Sequence, residues 1–131
     1  MNALSSASWH PAAILVAVRR GRRLLWRRIS RTMTMPDAWL AREFAGVVAA
    51  VEAEFRQEES AADLLAPASL HERLRDHALI LAALHRSAPA VADGDAVLGR
   101  AVLNALRDVL DAQRLRFPVP AMALPGHRLA S

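Results

Sequence analysis

Cysteine, lysine and tyrosine are all missing from this chain of 131 residues. Without cysteine there is no disulfide, no thiolate nucleophile and no cysteine-based zinc site. Aromatic residues make up only 5% against 53% apolar, so a core has to be assembled from Ala, Leu and Val. No stretch alternates apolar with polar as an exposed strand would, and β-branched runs are short; both absences favour helix. Long apolar runs are missing too. The longest early one, Ala12–Val18, is far too short to span a bilayer. Its positive charges follow it, the reverse of a signal peptide's order, and a cytoplasmic protein is expected. There is no Gly-rich phosphate loop, no nucleophile with a matching base and no internal repeat, so the chain does not read as an enzyme.

What is present is a pronounced charge asymmetry. All 17 basic residues are Arg, a bias that codon composition accounts for, and the net charge is +4. Residues 1–35 hold seven of these arginines and no acid, while the remainder is mildly acidic. A basic segment is thus joined to an acidic body.

Four helices are predicted. Pro11 suits a first helical turn and opens a helix to about Met33, with Ile14, Val18, Leu25 and Ile29 on its apolar side. Thr34-Met35-Pro36-Asp37 offers a cap, a first-turn proline and a first-turn acid. The helix it begins carries Phe44, Val48, Val51, Phe55, Glu58, Ala62 and Leu65 on one face and ends at Pro67. Ser69 and Glu72 have capping-box spacing for a third helix. Its stripe is Leu70, Leu74, His77, Leu81 and Leu84, and Ser87-Ala88-Pro89 is its expected stop. A turn through Asp93-Gly94-Asp95 leads to a fourth, with Leu98, Val102, Leu106, Val109 and Gln113 aligned. Short connections imply antiparallel neighbours, hence an all-α, up-down-up-down four-helix bundle. Residues 1–117 are expected to form this single domain, with 1–35 as a basic first helix. Pro118, Pro120 and Pro125 bar further helix, which leaves 118–131 as an irregular, flexible tail.

Two ionisable residues, Glu58 and His77, interrupt otherwise apolar stripes. Such groups in a core require a partner, a shifted pKa or a metal. Glu54 lies one turn before Glu58, Arg73 one turn before His77, and Gln113 holds a comparable place on the fourth helix. A hydrogen-bonded core pair and a metal site are both open on these residues alone.

The block Glu54-Phe55-Arg56-Gln57-Glu58-Glu59, followed by Arg73-Leu74-Arg75-Asp76-His77, resembles the bacterial hemerythrins. Their pattern is H-F-x-x-E-E, a loop, then H-x-x-E/D-H before an apolar helix. The likeness covers roughly residues 9–117, with Arg22-Arg23-Leu24-Leu25 following the family's first ligand region. It implies that Glu58 matches the bridging carboxylate and His77 one histidine ligand. Glu54, Arg73 and Gln113 stand where histidines are expected, the region around Gly21 offers no ligand, and the terminal Asp near Pro118 is absent. The resemblance therefore implies the scaffold without its diiron cofactor, in a binding or structural role. Glu58 and His77 would be remnants of the metal site, and Glu54, Glu58, Arg73 and His77 an ion-pair network in which Arg73 and His77 neutralise the acids.

The arginines of residues 19–31 support an alternative. Arg19, Arg20, Arg22, Arg23, Arg27 and Arg28, interleaved with Leu24, Leu25, Trp26 and Ile29, are candidate anion-binding residues. Their partner would be an anionic membrane surface or nucleic acid. A solvated outer helix face explains the same pattern. Met33 and Met35 admit a translation start beyond the basic segment.

Overall fold

The computed structural model describes residues 10–113. The expected tail, 118–131, lies outside the described residues, as do 1–9 and 114–117. Helix α1 spans Pro11–Met33, α2 Asp37–Leu65, α3 Leu70–Ala92 and α4 Ala96–Gln113, with a short 3-10 turn at Pro67–Ser69. Connections this short return each helix alongside its predecessor. The helices pack in sequence order, α4 closing back on α1, as an up-down-up-down bundle; α2 also touches α4 across the centre. One end holds the α1–α2 and α3–α4 connections. The other holds the start of α1, the 3-10 turn and the end of α4.

The core follows from helical spacing. Helix α1 buries Leu15, Val18, Leu25, Ile29 and Thr32, a row with steps of three and four that passes through Arg22. Helix α2 lies deepest, with Leu40, Phe44, Val47, Val51 and Phe55 fully enclosed. Each such side chain contributes about 1.5–3 kcal/mol relative to exposure. In α3 the buried residues are His77, Leu84 and Val91, seven apart. Helix α1 is therefore a core helix: Ile29 is fully enclosed in the same cluster as Phe44 and Leu106.

Several local expectations are corrected. Thr34 caps the end of α1 instead of starting α2, its hydroxyl donating to the Arg31 carbonyl. The Ser69–Glu72 capping box does not form, because Ser69 closes the 3-10 turn and its hydroxyl donates to Ala66. Pro89 does not stop α3, which runs on to Ala92; Pro89 is exposed, so its ring takes nothing from the core. Leu74 and Val109 are exposed rather than inward, and Leu103 and Leu110 take the core positions of α4.

Arg100 and Asp95 tie down the first-described end. Arg100 of α4 donates to the carbonyls of Met33 and Met35 and pairs with Asp37 at 2.6 Å. The Asp95 side chain accepts from the Leu98 N–H at 3.0 Å, supplying the cap of α4, after Gly94 turns the chain at φ 112°. Among the described residues no helix is long and apolar enough to cross a membrane.

Candidate functional site

Near the opposite end, all four helices meet around Glu58. Its side chain is 1% exposed and is gripped from α1 by Arg22. Arg22 Nε donates to Oε2 at 2.7 Å and Nη2 to Oε1 at 2.5 Å, a bidentate fork. Arg22 Nη1 donates to the Leu110 carbonyl at 3.2 Å, bringing in α4. From α3, His77 Nε2 lies 3.5 Å and Arg73 Nη1 3.8 Å from Glu58 Oε1. The His77 ring is 2% exposed, with Nδ1 2.8 Å from Glu59 Oε2. Phe55 stacks on it at 3.7 Å and 7°, which fixes its plane.

Glu54 lies one turn back on α2, against the backbone of α1: a Cβ on Gly21 would collide with its Oε1. Its Oε2 is buried without a hydrogen-bond partner. Burial, then the hydrogen bond and like charge of Glu58, push the Glu54 carboxyl up to about 8, against a smaller lowering by Arg22. Burial acts on Glu58 in the same upward direction. Hydrogen bonds from His77 and Arg22, the charge of Arg22 and the hydrogen bond from Glu54 outweigh it and hold Glu58 at about 2. The pair thus shares a single negative charge at neutral pH, on Glu58, with the proton on Glu54.

The structure brings together Glu54, Glu58, Arg73 and His77, the four residues of the expected network, and adds two more. Arg22 is the principal partner of Glu58, the place assigned to Arg73 from sequence; Arg73 stands at the outer limit of ion-pair distance. Glu59 is the second acid on His77. The signal for Arg22 was present in the row Leu15, Val18, Arg22, Leu25, Ile29, which places it on the inner face. Glu59 is one residue off the α2 stripe, and its signal in the sequence is its place as the second glutamate of the Glu54–Glu59 block.

The other arginines divide. Arg19, Arg20, Arg23 and Arg27 are exposed and make no hydrogen bond or ion pair among the described residues. Arg22 is turned inward, its side chain only 13% exposed, and is no surface anion site. Arg28 is half-buried with its guanidinium over Gly46 of α2, Nη2 2.7 Å from where a Cβ would sit there. Gln113 borders the cavity into which Arg22, Glu58 and Arg73 face.

These residues do not fit a diiron group. Both oxygens of Glu58 are taken by a guanidinium whose fixed positive charge repels a cation, and Gly21 offers no donor opposite Glu54. Among the described residues no three His, Asp or Glu side chains are grouped so as to hold a metal ion. The arrangement defines a class, a four-helix bundle with a charge-compensated polar centre. No family model matches the chain, and neither a curated protein nor a solved structure does.

Proposed function

We propose that this chain is a non-catalytic, hemerythrin-like bundle in which protein charge replaces the metal centre, leaving a binding or structural role. The observation that carries the reading is the bidentate Arg22–Glu58 pair. A carboxylate that would bridge metal ions is instead closed by a guanidinium supplied from α1. The buried acid beside it keeps its charge low by holding a proton. Cations and a protonated neighbour meet the same physical requirement, compensation of carboxylates in a region of low dielectric.

The test is metal content and response. The purified protein should be colourless and hold no stoichiometric iron, and anaerobic addition of ferrous iron or zinc should leave its thermal midpoint unchanged. A bound iron pair with an oxygen-dependent visible band would overturn the reading. So would a saturable rise in midpoint with either metal that Glu58→Gln abolishes.

A further inference from the structure

A cavity of about 680 Å³ lies between α1 and α4, beside the Arg22–Glu58 pair. Such a volume is typical of sites for small organic ligands. Leu15 and Val18 of α1 and Leu110 of α4 give it an apolar wall. Trp26 borders it as well, with the Arg107 guanidinium 5.3 Å from the centre of its ring. Arg19, Arg23 and Arg27, one turn apart along α1, line it too, and none of the three has a hydrogen-bond or ion-pair partner among the described residues. Among the described residues two acids also face the space. Glu58 is already neutralised by Arg22, which among the described residues leaves Asp111 as the one lining acid opposite Arg19, Arg23 and Arg27.

An apolar wall combined with unpaired positive charge is complementary to a molecule with a hydrocarbon body and one anionic head. We propose that this cavity binds a medium-chain alkyl carboxylate, its head on Arg19, Arg23 or Arg27 and its chain along Leu15, Val18 and Leu110. Guanidinium groups suit a carboxylate because their paired N–H donors match its two oxygens. Buried methylenes raise affinity roughly fourfold each.

Calorimetric titration of the full chain with hexanoate, decanoate and decanol below their aggregation limits tests it. Decanoate should bind saturably at one site per chain, at least tenfold tighter than hexanoate and tenfold tighter than decanol. The double variant Arg19→Gln/Arg23→Gln should weaken decanoate at least tenfold while keeping its helical circular dichroism. Should that variant misfold, Arg27→Gln alone should weaken binding severalfold. Arg20→Gln/Arg31→Gln removes exposed charges that do not line the cavity and should leave binding unchanged. Equal affinity for decanol, equal loss in the Arg20/Arg31 variant, or no saturable decanoate site would overturn the proposal. Salt-sensitive binding to duplex DNA or anionic vesicles without a decanoate site would overturn it too, in favour of a diffuse basic surface.

Discussion

The Arg22–Glu58 pair sets the largest single-residue effects. Glu58 is enclosed and keeps its charge through hydrogen bonds from His77, Arg22 and Glu54 and the charge of Arg22, of which Arg22 alone donates to both of its oxygens. Arg22→Met strands that carboxylate, and breaking one side of a buried pair costs about 3–5 kcal/mol. Replacing both with apolar groups removes the stranded charge, so adding Glu58→Leu should recover much of the loss. Arg73→Met should cost less, because Arg73 reaches Glu58 only at 3.8 Å and leaves the Arg22 fork intact. Denaturant unfolding of the wild type, both single variants and the Arg22→Met/Glu58→Leu double variant measures the coupling. Additive losses in the Arg22→Met/Glu58→Leu cycle would show that the fork is not what holds Glu58. Exposed Arg19, Arg20 and Arg23 should be replaceable together with little change in stability, provided Arg22 is retained.

At the scale of helices, close approach decides where substitution is tolerated. Gly99 is buried in α4, and a Cβ there would lie 2.6 Å from Leu40 Cδ2 and 3.1 Å from Val91 Cγ1. Ala is the better helix former by about 1 kcal/mol, but overpacking a filled core costs about 1–3 kcal/mol. Leu40 is fully enclosed, so Gly99→Ala should lower stability, read as a fall in the urea midpoint; a rise would mean the core gives way at no cost. The same scale separates what was legible in the sequence from what was not. Helix number, order and most of the α2 face follow from apolar spacing, which reports burial directly. Cap assignments at Thr34 and Ser69 failed because a hydroxyl serves the end of one element as readily as the start of the next. Pro89 misled because a proline near a helix end, on its exposed side, gives up one hydrogen bond that water can replace. Apolar spacing on α4 admits Val109 as readily as Leu110, because Leu, Val and Ala fall in runs there (96–98, 101–103, 105–106, 109–110) and mark the phase of the helix weakly. The polar centre was legible as misplaced charges on α2 and α3. Its closing residue was obscured by lying among seven arginines that looked alike.

For the whole molecule, the two glutamates impose opposite pH dependences. Glu58 is held at about 2 against an ordinary 4.5, so its contribution is complete above 4.5 and is lost as pH falls toward 2. Glu54 is raised to about 8 from the same ordinary value. Between pH 4.5 and 8 the folded chain keeps a proton that the unfolded chain has released, so stability falls as pH rises. The slope is at most about 1.4 kcal/mol per pH unit. Stability set by this pair should therefore peak near pH 4.5 and decline on both sides. Glu54→Gln separates the two limbs. A carboxamide has the shape of the protonated acid and still donates toward Glu58, but it has no proton to lose. Arg22, Arg73, His77 and Glu59, which also surround the pair, are present in both proteins, so the difference between the two reads Glu54. Urea midpoints at pH 4.5, 6 and 8 should nearly coincide at the first value and diverge thereafter, the variant becoming the more stable protein at pH 8. If both proteins lose stability in parallel from pH 4.5 to 8, Glu54 is not the group that carries the proton.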